Sequence, residues 1–394
     1  MSANNKGQNV ANAPLLRFPE FKDEWNIVKV SDLLEFYSTN SYSWDQLDFE
    51  VGEIFNLHYG MIHNGLPTMM NAKENILPFV KEKPKNYTIC KEGDVAFADA
   101  SEDTNDVAKC IEFTNCDRKQ IICGLHTIHG RDKLGITELG YKGYAFSSKA
   151  FHDQVKKLAQ GTKIYSISAK TFSECFVGIP SNKEQQKIAK LLSLLDRRIE
   201  IQRSAIEKLK SLKSAIVDKL LAEKKECQTI RLGDICSITT GKLDANAMDE
   251  NGIYPFFTCA AIPIRVHKDA LDCEALMISG NGANLGYIHY YKGKFNAYQR
   301  TYVLKDFSVN INYVKFLLDR YLHRRIEQEK NTGNTPYIKL STLTDMQLYI
   351  PVLEKDIQKT IDICCSISNY LDISKKILTM YNKQKQFLLN KMFI

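Results

Sequence analysis

From about Ser181 to Glu223, apolar residues fall at alternating steps of four and three: Ile188, Leu192, Leu195, Ile199, then Ile206 and Leu209, then Ile216 and Leu220. That is the heptad spacing that keeps one narrow stripe of a helix turned toward a partner. Neither proline nor glycine interrupts the stretch, and two seam positions, Gln202 and Lys213, are polar. A long helix with so narrow a stripe cannot bury it alone, so the pattern predicts a second helix.

Residues 354 to 393 supply one. Offset by 172 positions, the seams correspond: Ile188 with Thr360, Leu192 with Cys364, Leu195 with Ile367, Ile199 with Leu371, Ile206 with Leu378, Leu209 with Tyr381, Ile216 with Leu388 and Leu220 with Met392. The polar interruptions recur too, Gln202 with Ser374 and Lys213 with Lys385. Ile179-Pro180 precedes the first helix and Ile350-Pro351 the second, and proline just ahead of a helix is a start signal. The chain therefore reads as an internal repeat, a body followed by a long helix, twice. Two unrelated amphipathic helices would not be expected to share their polar interruptions.

The pattern divides the chain into a flexible tail (1–16), a first body (17–180), the central helix (181–226), a second body (227–352) and the C-terminal helix (353–394). Both bodies open alike, Trp25 to Leu34 in the first and Thr229 to Ile235 in the second: a short strand with a basic residue, a Ser-Asp or Gly-Asp turn, then an apolar continuation. Val95 to Ala98 reads as a strand after the turn Lys91 to Asp94. Residues 147 to 160 read as a helix with Ser147 or Ser148 as N-cap and Gly161 just past its end. The segment Gly161 to Ser168 has its counterpart in Gly333 to Ser341, which follows a helix predicted at about 312 to 330. In the second body a strand enters the glycine-rich turn Gly280-Asn281-Gly282-Ala283-Asn284-Leu285-Gly286, and an aromatic-rich strand leaves it.

The 394 residues suffice for two or three domains with real cores, and 44% apolar with 25% charged content is that of a globular protein. The net charge of +7 suits a polyanionic partner without requiring one. Eleven cysteines without framework spacing point to free thiols in a reducing compartment. The polar N-terminus carries no secretory h-region and no stretch is apolar enough for a membrane span, so a cytoplasmic protein away from membranes is expected.

Catalytic patterns are scarce. The sequence has no G-x-S-x-G, P-loop, H-E-x-x-H, Asn-Pro-Pro-Tyr or Asp-Pro-Pro-Tyr element. The glycines at 280, 282 and 286 miss the dinucleotide spacing by one residue and lead into a strand, where a pyrophosphate site needs a helix N-terminus. A tight turn is the plain reading. The functional one is a loop offering Asn281 and Asn284 to DNA beside His289, Lys292, Lys294, Gln299 and Arg300, since Asn and Gln pair with adenine and Arg and Lys with guanine and phosphate. Cys110, Cys116, Cys123, His126 and His129 lack structural-zinc spacing and read as core, with no metal expected. Asp99, Glu102, Asp103 and Asp106 read equally as a solvated loop or a metal site.

The chain resembles the specificity subunits of type I restriction–modification systems. The resemblance rests on the order body, long helix, body, long helix, and on RFPEF, EW, KVSDLLEF, KEGDVAFADASEDT, GLHTIHGRDK, ISGNGANLGYIHYYKGKFNAYQRTYVL, TGNTPYIKLS and IPSNKEQQKIAKLLSLLDRRI. The second such element, IPVLEKDIQKTIDICCSI, has one extra residue and no Glu-Gln pair, so its partner contacts are expected to differ. The resemblance implies an α+β fold with an internal pseudo-two-fold repeat, in which two target-recognition domains are joined by two long helices paired as an antiparallel coiled coil. It implies a non-catalytic subunit for double-stranded DNA. Two modification subunits would bring S-adenosylmethionine and methylate adenine at N6, and two restriction subunits would bring ATP and magnesium chemistry. A helix of about 36 residues spans roughly 54 Å, enough to carry two bodies onto half-sites one DNA turn, about 34 Å, apart.

Three groups of DNA contacts are expected. The first is Ser101, Asn105, Lys119, His126, His129, Arg131 and Lys133; the second is Asn281, Asn284, Tyr287, Lys292, Gln299 and Arg300. The third is the pair of equivalent loops, Thr162 and Lys163 in one half, Asn334 and Thr335 in the other. A coiled-coil scaffold whose bodies bind protein, and a nuclease built on the acidic loop at 99–106, remain the alternatives.

Overall fold

The structure, a computed structural model, describes residues 12–116, 119–222, 226–329 and 336–394. It is an α+β fold of two compact units, Met1–Ala205 with Lys375–Ile394, and Ile206–Ser374. The first long helix is Asn182–Ala222 and the second Glu354–Lys391, so each contributes one half to each unit. Among the described residues no helix is long and apolar enough to cross a membrane.

In the first unit the opening strand Asn26–Lys29 pairs antiparallel with Phe176–Ile179, the strand that runs into the first long helix. The ends of the body are thereby tied together at the helix start. A five-stranded sheet follows the order Leu34–Tyr37, Thr127–Asp132, Val95–Ala98, Cys110–Thr114, Met69–Asn71, and a four-stranded sheet includes Gln120–Cys123 beside Ile54–Leu57. Ile188, Leu192, Leu195 and Ile199 share one core with Leu388, Leu389, Met392 and Phe393, flanked by Leu378 and Tyr381. The N-terminal half of one helix thus lies along the C-terminal half of the other, antiparallel. The polar seam residue Lys385 pairs with Asp196 at 2.6 Å, and the Tyr144 hydroxyl donates to the same carboxylate at 3.0 Å.

The helix start is polar and internally satisfied. Arg17 donates two hydrogen bonds of 2.7 Å to the buried carboxylate of Glu184. Buried Gln185 accepts from the Glu138 backbone N–H and donates to the carbonyls of Ile136 and Pro180. The Glu-Gln pair that the second helix element lacks is therefore spent inside this unit. The expected tail is also shorter than 16 residues: Asn12 accepts from the Trp25 N–H and the Leu16 N–H donates to Lys391, while residues 1–11 lie outside those described.

The second unit repeats the frame. Cys227–Arg231 pairs antiparallel with Gln347–Pro351 ahead of the second long helix. Its six-stranded sheet runs Ser237–Thr240, Thr301–Lys305, Leu271–Ser279, Ile288–Ala297, Tyr254–Phe257, Ile264–Val266. Helix Ile311–Gln328 covers it, and Leu317, Leu318 and Leu322 join Leu276, Ile278, Ile357 and Ile361 in the core. Ile206, Ile367 and Leu371 are buried as the seam predicts. Farther along, Val217 is buried and Ile216 only half-buried, because a straight helix drifts about 20° per heptad from a strict seven-residue repeat. The Leu220 side chain lies outside the described residues. Lys213 sits 5.8 Å over the Phe316 ring.

Candidate nucleic-acid interface

In the first unit one polar edge gathers five segments. Strand Ala100–Ser101 pairs antiparallel with Tyr165–Ser166, which sets the loop beginning at Ser101 beside the exposed Thr162 and Lys163. Gly161, at φ +137°, makes that turn possible: a Cβ there would stand 1.9 Å from the Ile164 carbonyl oxygen. Ser101 Oγ accepts from Asp103 N, Asp103 holds the N–H and side-chain amide of Asn105, and Lys156 donates to Asn105 Oδ1. The acidic loop is thus organised by its own hydrogen bonds.

His126, half-exposed and in the left-handed region at φ +53°, places Nδ1 3.1 Å from Asp99 Oδ1. Burial pushes the Asp99 carboxyl up, and His126 opposes that. The His126 ring stands edge-on to Tyr59 at 5.1 Å, Tyr59 lies 4.7 Å from His58, and His58 4.3 Å from half-exposed Trp44. Burial holds the His58 imidazole below its usual range, and its Nδ1 accepts from Gly60 N. His63 Nε2 reaches the Ala100 carbonyl at 2.8 Å, joining this aromatic row to the Ser101 loop. Aromatic faces can stack on bases while imidazoles and hydroxyls meet base edges or phosphates. Trp44, Tyr59 and His63 were missed from sequence, although His58-Tyr59-x-x-x-His63 is dense in such side chains.

The other residues expected here do not join the edge. His129 is fully buried, its Nε2 2.8 Å from Asp94 Oδ2, and is withdrawn as a DNA contact. Arg131 grips Asp94 through two 2.7 Å hydrogen bonds and lies 4.7 Å over Tyr37. Burial works against the Asp94 charge, but Arg131 and His129 outweigh it and hold the carboxyl below its usual range. Lys133, seven residues along from His126 and so roughly 20 Å away on an extended strand, donates to the Ser31 carbonyl. Lys119 rests over Phe55 at 4.8 Å.

In the second unit the glycine turn joins Leu271–Ser279 to Ile288–Ala297. Asn281 forms an antiparallel bridge with Tyr337, and Ile338 N donates to the Gly280 carbonyl. Tyr337 is the repeat counterpart of Tyr165, which pairs with Ser101. The same backbone junction therefore stands at both polar edges. Asn334 and Thr335 lie outside the described residues. Asn281 and Asn284 turn partly inward: Asn281 Oδ1 accepts from Cys259 Sγ at 3.0 Å and Asn284 Nδ2 donates to the Cys259 carbonyl at 3.1 Å. They brace the turn, so their amides are not simply offered outward as expected. Exposed Gln299 donates to Asp244, exposed Tyr287 packs on His289 at 4.8 Å, and exposed Lys292 stands 3.6 Å from Glu274. Arg300 is exposed and its guanidinium meets no partner among the described residues. Exposed Tyr337 was missed from sequence.

Among the described residues, one group brings three potential metal ligands together, Cys90, Cys123 and His129 in the first unit. The sequence offered Cys110, Cys116, Cys123, His126 and His129 instead. Of these only Cys123 and His129 meet, joined by a cysteine 33 positions before Cys123.

Comparison with known proteins agrees with this architecture. The specificity subunit of the EcoDI type I restriction enzyme of Escherichia coli is 39% identical over 124 residues, 32% of this chain and 27% of that protein, so the chain matches less than a third of that relative's length. A putative type I specificity subunit of Mycoplasma genitalium is 27% identical over 296 residues, 70% of this chain and 76% of that one. The crystal structure of the S subunit of a type I restriction–modification system from M. genitalium superposes with a TM-score of 0.63 at 19% identity, covering 97% of this chain and 99% of that one. A chain from a structure on complex assembly and conformational transition of the type I system gives 0.56 at 13%, covering 93% and 96%. The type I restriction modification DNA specificity domain matches residues 22–211 and again 224–379. With two such domains and an S-subunit fold, the chain belongs to the type I restriction–modification specificity subunit family.

Proposed function

We propose that each unit reads one half of a bipartite, asymmetric DNA site, that the paired helices set the distance between half-sites, and that catalysis resides in partner subunits. The observation that carries this is the shared junction, Ser101 with Tyr165 and Asn281 with Tyr337. One backbone frame presents different side chains in its two copies, which is what two different half-sites require. The first edge offers His126, Ser101, Thr162, Lys163 and the Tyr59–Trp44 aromatic row; the second offers Arg300, Gln299, Tyr287 and Tyr337. Arg300 has the free fork that guanine or a phosphate needs.

Docking of the modification subunits is supported by the outer faces of the helices. Ile373, Met380 and Phe387 are exposed at steps of seven on the second long helix, beside exposed Tyr370. Such a stripe, left uncovered, marks a protein contact. Two modification subunits would supply S-adenosylmethionine and transfer its methyl to adenine N6 after flipping the base out. Two restriction subunits would supply ATP- and magnesium-dependent steps, and the specificity chain itself would act where the DNA is, in the cytoplasm.

The test is long-read sequencing of N6-methyladenine in cells expressing this chain with its modification subunit. A split, asymmetric motif is expected, and Arg300→Ala relaxes or erases one half while the other persists. Equal loss of both halves would overturn modular reading, and an assembled complex with no motif would overturn the specificity role. Met380→Lys with Phe387→Lys is expected to abolish co-purification with the modification subunit.

A further inference from the structure

Three elements of the first unit converge on one buried point. Cys90 precedes strand Val95–Ala98, Cys123 ends strand Gln120–Cys123, and His129 lies within Thr127–Asp132. One donor atom of each lies within 4.8 Å of the other two, and all three side chains are sealed from solvent. The two sulfurs stand 3.6 Å apart. That is far outside a disulfide bond of about 2.05 Å. It is close to the edge of a tetrahedral thiolate site, about 3.8 Å for zinc–sulfur bonds of roughly 2.3 Å.

Buried cysteines alone would be ordinary core residues. The histidine is what core packing does not explain. Its Nε2 is occupied by Asp94 at 2.8 Å, while its Nδ1, buried, has no hydrogen-bond partner. A buried imidazole nitrogen left unpaired forfeits the hydrogen bond that water would have given it. A carboxylate on one ring nitrogen with the other lone pair free is the arrangement that orients a metal-ligating histidine. Asp94 is itself fixed by Arg131 and by the Lys91 N–H.

We propose that Cys90, Cys123 and His129 Nδ1 bind a thiolate-preferring tetrahedral divalent cation, of which zinc is the natural occupant, with Asp94 as the positioning residue. The softness of two sulfurs and one imidazole selects this class over magnesium or calcium. Binding releases the two thiol protons, and a dication with two thiolates carries no net charge, which suits an apolar surround. Cys116 is buried in the same core cluster but donates its thiol to the Thr114 carbonyl, so the fourth position is left to water. The ion clasps the segments that lead into the His126 turn and the Arg131–Asp94 clamp, stiffening the polar edge of this unit.

The experiment measures metal in the full chain, purified without a metal-affinity step and with its partner subunit where needed. About one zinc per chain is expected. After chelation, cobalt(II) is expected to restore tetrahedral d–d absorption with a thiolate-to-metal charge-transfer band in the near ultraviolet. Cys123→Ala and His129→Ala lose the metal, Asp94→Asn weakens cobalt binding roughly 10–100-fold, and Cys175→Ala, a buried cysteine of the other core cluster, keeps it. Should the ligand variants misfold, the wild-type cobalt spectrum decides alone. A folded wild-type chain without metal or charge-transfer band overturns the proposal. So does zinc retained by Cys123→Ala, or a Cys90–Cys123 disulfide in chain whose thiols were blocked at lysis.

Discussion

The two helix starts occupy the same place in the repeat and are built from opposite chemistry. In the first unit, Gln185 is fully buried and answers three backbone groups, while Glu184 is buried against Arg17. In the second unit the counterpart of Gln185 is Ile357, packed with Ile361 and Leu348 in an apolar core. Farther along the seam the order reverses: Ile188 faces its core as a hydrocarbon, and its counterpart Thr360, also buried, satisfies its hydroxyl on the Asp356 carbonyl. What both units share is the strand pair that ties each body shut at its helix, Asn26–Lys29 with Phe176–Ile179 and Cys227–Arg231 with Gln347–Pro351. Backbone closure carries the repeat, and the side chains beneath it are free to diverge.

That contrast can be broken by substitution, because the chain's two tryptophans, Trp25 and Trp44, both lie in the first unit. Tryptophan fluorescence during urea unfolding reports that unit, whereas far-ultraviolet circular dichroism reports both. The largest effect is expected from Glu184→Ala, which strands the Arg17 guanidinium at a part-buried site and costs roughly 3–5 kcal/mol in the fluorescence transition. A loss below about 1 kcal/mol would mean the polar helix start is ornamental. Next comes Ile357→Ala, which opens a cavity in the second core for about 3 kcal/mol. It should move a circular-dichroism transition and leave the fluorescence midpoint in place. If both probes shift together, the two units do not unfold separately.

The seam was legible from sequence because it is local: a spacing of three and four residues states which side of a helix is covered, and Ile188, Leu192, Leu195, Ile199, Ile206, Ile367, Leu371, Leu388 and Met392 are all buried. Leu209, Leu378 and Tyr381 are only half-buried at the seam's edge, and farther along drift replaces Ile216 with Val217 as the buried residue. The DNA-facing residues were less legible because each depends on which strands become neighbours. His129 belongs to a strand flanked on both sides in a five-stranded sheet and is buried, whereas His126, three positions earlier, sits at the turn and is half-exposed. Asn281 and Asn284 sit in a loop, as read, but Cys259 takes their side chains inward. Cys90 could not be joined to Cys123 from spacing, since strand pairing alone brings them together.

Smaller effects sharpen the comparison at the recurring polar seam position. Lys385→Met removes an ion-pair partner of Asp196 at a site where both side chains are mostly covered, 17% and 18% exposed, and leaves the carboxylate, among the described residues, with the Tyr144 hydroxyl. The expected cost is about 1–2 kcal/mol in the fluorescence transition. Lys213→Met is expected to change the circular-dichroism midpoint least, within about 0.5 kcal/mol. Among the described residues Lys213 lies over the Phe316 ring, a contact worth roughly 0.5–1 kcal/mol at an accessible site. The methionine stem recovers most of that by covering the same apolar surface. A lysine is thus kept at both places in the repeat for different reasons, an ion pair in one unit and an ammonium over an aromatic ring in the other. Equal losses from the two substitutions would show a single shared role and would undo the claim that side chains diverge beneath a common frame.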